Sequence, residues 1–192
     1  MNDYLQPDFY HFNEDSLKLV NWIFSCSPTA SSLLDLGAGS GVVGIELANR
    51  LNLTDLTFLE VQADFLPSLQ RNVQNQLKQP GHVQLIHSSF GEWIPVRFYD
   101  LIVCNPPYYL PGHGVANKDL RRRIARSFVI DDWSVLVNKI GHTLSKRGKA
   151  YMVIKNDPKI LRSLQSVVGQ LRLEVQEEAD LFFIELSRLN VD

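Results

Sequence analysis

From Ser32 onward the chain alternates short apolar runs with stretches of helical periodicity, and few folds accommodate that pattern. Strands are expected over residues 33–36, 56–60, 83–87, 100–104 and 150–155. Helices are expected over 42–51, 63–77, 132–145 (closed by Gly148) and 158–168. Two further strands, 173–175 and 181–186, follow with no helical stretch between them, so they should pair antiparallel. Strands separated by helices must be joined by right-handed crossovers into a mostly parallel sheet covered on both faces. The fold class is therefore α/β, doubly wound, with seven strands and an antiparallel carboxyl-terminal strand. Upstream, Asn13 or Asp15 is placed to cap a helix whose apolar positions are Leu17, Val20, Ile23 and Phe24. A length of 192 residues fits one domain, with residues 1–30 as a lead-in segment and 31–192 as the core.

The first strand runs into Asp35-Leu36-Gly37-Ala38-Gly39-Ser40-Gly41, which opens the next helix. Glycines there permit a tight turn and close approach of backbone to a ligand. Glu60 ends the second strand, where a carboxylate can accept both hydroxyls of a ribose. Two cofactors suit this Rossmann-like arrangement. A dinucleotide fingerprint can be laid on Gly39-Ser40-Gly41-Val42-Val43-Gly44, but Gly37 and Ala38 then intervene before its first glycine. The alternative, Asp-x-Gly-x-Gly-x-Gly, includes Asp35. That extra carboxylate favours a cationic ligand over a pyrophosphate. S-adenosylmethionine, with a sulfonium, an ammonium and no phosphate, fits it.

A second device lies at the end of the fourth strand, in Asn105-Pro106-Pro107-Tyr108-Tyr109. A residue before proline is pushed into extended geometry, so Asn105 and Pro106 are both extended. Proline fixes its own φ and donates no hydrogen bond. The result is a stiff prong offering carbonyl oxygens and a carboxamide, with Tyr108 supplying a flat face. It suits a planar ring held by its edge while both hydrogens of an exocyclic amine are accepted. Open sheets of this kind bind ligands beyond the carboxyl ends of their strands, which is where the prong falls.

These motifs resemble class I S-adenosylmethionine-dependent methyltransferases of the Asn-Pro-Pro-Tyr type, which methylate planar amines. Leu5-Gln6-Pro7, Tyr10, Phe12 and Asp15-Ser16-Leu17 look like the opening of the bacterial tRNA1(Val) adenine-N6 methyltransferase family. The prong followed by a glycine-containing loop and Ile124-Ala125-Arg126 is similar to that family too. The resemblance implies Asp35, Gly37, Gly39, Gly41, Glu60, Ser89 and Phe90 as cofactor-binding residues. It implies Asn105, Pro106, Pro107 and Tyr108 as catalytic. Ser89 stands where the family has an Asp that contacts the cofactor adenine; a hydroxyl is a weaker acceptor than a carboxylate.

The expected activity is methylation of the N6 amine of adenine in RNA, in particular tRNA. A glutamine-N5 protein methyltransferase would use the same prong, but its family carries a substantial helical domain before the glycine loop. A module that binds S-adenosylmethionine or RNA without chemistry stays open, as does a dehydrogenase from the glycine loop alone. Lys118, Arg121, Arg122, Arg123 and Arg126 follow the prong and are expected to meet RNA phosphates. The formal net charge of −2 means that such affinity must come from a local patch. Pro111, Gly112 and Gly114 predict a mobile loop that orders on RNA. Cys26 and Cys104 have no partner motif, so structural thiols and no metal site are expected. The start of the chain carries no signal-peptide pattern and no apolar run spans a bilayer, so a cytoplasmic location is expected; a monomer is expected as well.

Overall fold

A computed structural model describes residues 3–79, 81–107 and 119–189. Among them are seven strands: β1 (Ser32–Leu36), β2 (Asp55–Glu60), β3 (His82–His87), β4 (Tyr99–Cys104), β5 (Leu144–Lys155), β6 (Leu171–Glu178) and β7 (Leu181–Arg188). The helices are α1 (Glu14–Ser25), α2 (Val42–Leu51), α3 (Leu66–Gln76), α4 (Leu120–Arg126), α5 (Trp133–Thr143) and α6 (Pro158–Gln165). One sheet forms in the order β3-β2-β1-β4-β5-β7-β6. The first five strands pair in parallel, and β7 runs antiparallel to both β5 and β6, as the pattern required.

Alternate residues of each central strand feed opposite cores. Leu34, Leu36, Ile102, Cys104, Met152 and Ile154 pack beneath α5 and α6, with Trp133, Leu136, Ile140 and Leu164. Leu33, Leu101, Val103, Tyr151 and Val153 face the other way, against Leu19, Val20 and Ile23 of α1 and Ile45 and Leu47 of α2. Burial on both faces explains why these strands read as continuous apolar runs. Each such side chain contributes roughly 1.5–3 kcal/mol by leaving water. Trp93 and Trp133 are core, and Trp22 packs against Tyr151 and Phe183. Cys104 is buried and Cys26 exposed, both as free thiols.

Several expected boundaries shift for identifiable reasons. The stretch 63–77 splits into a 3-10 turn, Ala63–Phe65, and α3, with Pro67 in the first turn of the helix. Gly148 does not close α5. That helix ends at Thr143, and β5 begins at once, with a register shift against β4 between Tyr99 and Leu101. Gly148 sits inside this irregularity, where an added Cβ would lie 2.8 Å from the Tyr99 carbonyl oxygen. Its lack of a side chain serves strand packing, not a helix end. Helix α6 stops at Gln165, short of residue 168. In α1, Val20 and Ile23 are buried and Leu17 half-buried, but Phe24 faces outward at 47% exposure.

The order of strands reverses between β1 and β4, the position at which open parallel sheets leave a crevice. In the pairing, Leu36 lies opposite both Leu59 and Cys104, and Glu60 lies opposite His87. The segments leaving β3, β2, β1 and β4 therefore emerge side by side along one rim.

Candidate active site

A cleft open to solvent occupies that rim. Its floor is the glycine loop. Gly37, Gly39 and Gly41 adopt φ of +73°, +54° and +83°, a left-handed region costly for side chains. At Gly41 an added Cβ would also approach the Leu69 side chain to 2.6 Å. Gly37 and Ala38 donate backbone hydrogen bonds to the Leu59 carbonyl. Gly39 N–H donates to Glu60 Oε2 at 2.8 Å. Asn72, almost fully buried, donates to the carbonyls of Ser40 and Leu5 and accepts from Leu5 N–H. The same side chain thus fixes the glycine loop and the lead-in segment to α3.

Glu60 also accepts from Gln62 N–H at 2.8 Å through Oε1. Burial, offset in part by these amides, raises its carboxyl above the usual range. Each carboxylate oxygen has two acceptor positions, so both bonds leave capacity for ligand hydroxyls. Asp35, 2% exposed, accepts from Gly44 N–H at 2.9 Å through Oδ2 and so caps the opening of α2. Burial pushes its carboxyl up to about 7, and the nearby Glu60 adds to the rise. An anion beside this floor would meet two carboxylates. A cation would relieve their desolvation, and the donor set fits a sulfonium-bearing, ribose-bearing cofactor for that reason.

Phe90 lines the cleft next to the glycine loop, 3.5 Å from the position of a Cβ on Gly37. Its backbone N–H and that of Gly91 donate to the two carboxylate oxygens of Asp131, which tie the segment after β3 to the one before α5. Ser89 behaves differently from Phe90. Its hydroxyl accepts from Glu92 N–H and donates to Glu92 Oε2, within its own turn, and it is not among the cleft-lining residues.

At the other end of the cleft, Asn105 and Pro107 line the wall while Pro106 is buried. Asn105 Nδ2 donates to Ser16 Oγ at 2.9 Å. Ser16 is held there because neighbouring Asp15, buried in the first turn of α1, pairs with Lys155 at the end of β5 at 3.1 Å. Tyr108 lies outside the described residues, as do Pro111, Gly112 and Gly114 of the expected loop. Tyr10 and Phe12 of the lead-in segment add aromatic surface to the cleft, Tyr10 meeting Phe65 edge-on at 6.0 Å between centroids. Sequence reasoning found Tyr10 and Phe12 only as part of a resemblance. Ser16 stood in the same resemblance without a role of its own, and nothing pointed to Phe65 or to Asp131, whose partners lie about 40 positions away.

The basic stretch forms α4, capped by Asp119, whose side chain accepts from Arg121 N–H at 2.9 Å. Ile124 and Ala125 turn toward the cleft. Arg121 is engaged within the protein. Its guanidinium pairs with Asp119 and Asp64 and lies 4.8 Å from the centre of the Phe9 ring. Arg122, Arg123 and Arg126 are exposed and make no ion pair among the described residues. Lys118 lies outside them. No group of three or more His, Cys, Asp or Glu side chains among the described residues is placed to hold a metal ion. No helix among them is long and apolar enough to cross a membrane.

An open α/β sheet with a glycine-lined floor, an acidic second-strand end and a carboxamide at the fourth defines a Rossmann-like architecture suited to a nucleoside cofactor. The chain belongs to the methyltransferase small domain family, which it matches over residues 18–184. It is 29% identical over 147 residues to the tRNA1(Val) (adenine(37)-N6)-methyltransferase of Pedobacter heparinus, covering 74% of this chain and 58% of that protein. A protein of the same name from Shewanella sp. (strain W3-18-1) is 28% identical over 165 residues, covering 84% and 67%. The chain thus spans somewhat over half the length of the Pedobacter relative. Among solved structures, the 16S rRNA N2 G1207 methyltransferase of T. thermophilus, in complex with AdoMet and guanosine, superposes with a TM-score of 0.68 at 22% identity. That match covers 93% of this chain and 44% of the other. The ribosomal protein L11 methylase of Lactobacillus delbrueckii subsp. bulgaricus gives 0.65 at 14% identity, covering 93% and 81%.

Proposed function

We propose that this chain binds S-adenosylmethionine over the glycine loop and methylates the exocyclic N6 amine of an adenine in RNA, with tRNA as the substrate. The observation that carries this reading is the Asn105 carboxamide on the cleft wall, its nitrogen committed to Ser16. A carboxamide anchored through one N–H has its plane, and so the direction of its oxygen, fixed. The names of the Pedobacter and Shewanella relatives and the ligands of the T. thermophilus structure support the same reading.

When bound, the cofactor supplies an electrophilic methyl on a sulfonium. The protein's part is positional. The lone pair of an aromatic amine is delocalised into its ring and is a poor nucleophile. Asn105 Oδ1 and the Pro106 carbonyl each accept one amine hydrogen, which aims the lone pair outward. Fixed dipoles of this kind favour the transition state without reorganising as charge develops. Asp35 and Glu60 hold the cationic and ribose portions of the cofactor, with Gly37, Gly39 and Gly41 allowing its close approach. Pro107, Tyr10 and Phe12 enclose the base, which must leave any stack to reach the prong. Arg122, Arg123 and Arg126 contact RNA phosphates. Incubation with labelled cofactor and bulk tRNA, followed by nucleoside analysis, tests the proposal. Label in N6-methyladenosine is expected; label confined to protein glutamine would overturn it.

A further inference from the structure

The bond between Asn105 and Ser16 joins the end of β4 to the first turn of α1, 89 positions away. A helix start frays easily because its first N–H groups have no partner within the helix. Asn13, the residue before α1, does not cap it; its carboxamide donates to Asp15 Oδ2 at 2.7 Å instead. What holds this turn in place is the Asp15 carboxylate, whose side chain is 8% exposed and pairs with Lys155 Nζ.

Lys155 is the last residue of β5, and Cys104 lies opposite Met152, so Lys155 and Asn105 leave neighbouring strands along the same rim. Its ammonium sits between two carboxylates, Asp15 at 3.1 Å and Asp180 at 3.0 Å. The turn between β6 and β7 braces it from the Asp180 side. There Asn156 N–H donates to the Asp180 carbonyl at 2.9 Å, and the Asn156 carboxamide donates to Glu177 and to the Ala179 carbonyl. Ala179 has φ of +51°, a costly conformation for a residue with a side chain, which persists where surrounding contacts hold it.

The two ion pairs differ in weight. Asp180 is 68% exposed, and a pair of that kind contributes little. Asp15 is buried, so removal of its cation leaves a carboxylate that must turn toward water, drawing the first turn of α1 with it. Ser16, next in sequence, then loses its place beside Asn105. Neither Lys155 nor Asp15 lines the cleft, so the effect reaches the cleft only through that chain of contacts.

We propose that Lys155 is a positioning residue for methyl transfer. Its ammonium fixes Asp15 and the first turn of α1, and thereby the Ser16 hydroxyl that orients the Asn105 carboxamide. This rests on the role given to Asn105 above.

Labelled methyl transfer to tRNA by the full chain, with calorimetric titration of S-adenosylhomocysteine, tests it. Lys155→Met should lower kcat about tenfold while affinity for S-adenosylhomocysteine stays within about twofold. In a Ser16→Ala background the same substitution should cost no more than about twofold, because both changes release the same carboxamide. The salt slope of tRNA binding should not change, whereas loss of a phosphate contact would lower it by about 1. Lys149→Met removes another cation of β5, paired with Glu185 at 2.7 Å, and should leave kcat unchanged. If Lys155→Met does not fold, Lys155→Met combined with Asp15→Asn removes both charges and should show the same loss of kcat. Undiminished kcat, additive losses with Ser16→Ala, affinity falling in step, a lower salt slope, or an equal loss in Lys149→Met would overturn the assignment while leaving the function reading intact. Absence of transfer by the wild-type chain would overturn both.

Discussion

Asp35→Asn keeps an oxygen acceptor for Gly44 N–H while removing a titratable charge from the floor of the cleft. Burial raises the Asp35 carboxyl from 3.8 to about 7 in the folded chain. The sign follows from proton counting. Between those two values the folded state holds a proton that the unfolded state has released, so rising pH favours unfolding. The group's stabilising contribution is complete below the unfolded value and is lost as pH climbs through the folded one. A tenfold difference in proton affinity between the two states is worth about 1.4 kcal/mol, so the loss from about pH 5 to about pH 8 comes to about 2–3 kcal/mol. Other carboxylates titrate in both proteins, and the difference between variant and wild type cancels them. Urea unfolding across that interval should therefore show Asp35→Asn gaining about 2–3 kcal/mol on the wild type toward alkaline pH. A gap that stays constant would refute the claim that this carboxylate is buried and protonatable. Binding of a cation beside it should also favour the ionised form, so affinity for S-adenosylmethionine should rise toward neutrality in the wild type and flatten in the variant.

Ser16→Ala should lower turnover by about tenfold with the cofactor dissociation constant nearly unchanged, and Ser16→Thr should restore it; a matched loss of cofactor affinity would deny Ser16 its role in orienting Asn105. An added Cβ at Gly44 would lie 2.5 Å from Phe58 and 2.8 Å from Asp35 Oδ2. Gly44→Ala should therefore cost about 1–3 kcal/mol by denaturant titration, and a neutral result would contradict the packing beneath α2. Arg122→Ala and Arg123→Ala should each reduce the salt slope of RNA binding by about 1, whereas Arg121→Ala should leave the slope nearly unchanged because its guanidinium is engaged by Asp64, Asp119 and Phe9. Equal slopes in all four proteins would remove α4 from the RNA contact.

The sheet was legible in the sequence because its central strands are buried on both faces and bounded by glycine, proline or polar residues. The glycine loop and Glu60 were legible for a related reason: backbone conformation and strand-end position are local properties. The Gly148 region was not. Its glycine answers to a carbonyl on a neighbouring strand, and nothing adjacent in sequence distinguishes that from a helix terminus. Arg121 reads as one of a run of equivalent cations, and it is as exposed as its neighbours, yet the fold brings Asp64 and Phe9 to it alone among the described arginines of α4. Asp131 carries no motif at all, and its importance comes from contacts across about 40 positions.

The central claim is that Asn105 aims an amine without holding the cofactor, and one paired measurement on Asn105→Ala addresses it. Labelled methyl transfer to tRNA and calorimetric affinity for S-adenosylhomocysteine should be determined on the same preparation. The account predicts that transfer falls by at least about a hundredfold while the affinity stays within about threefold of wild type. Retained transfer, or an affinity that falls in step with it, would contradict the account.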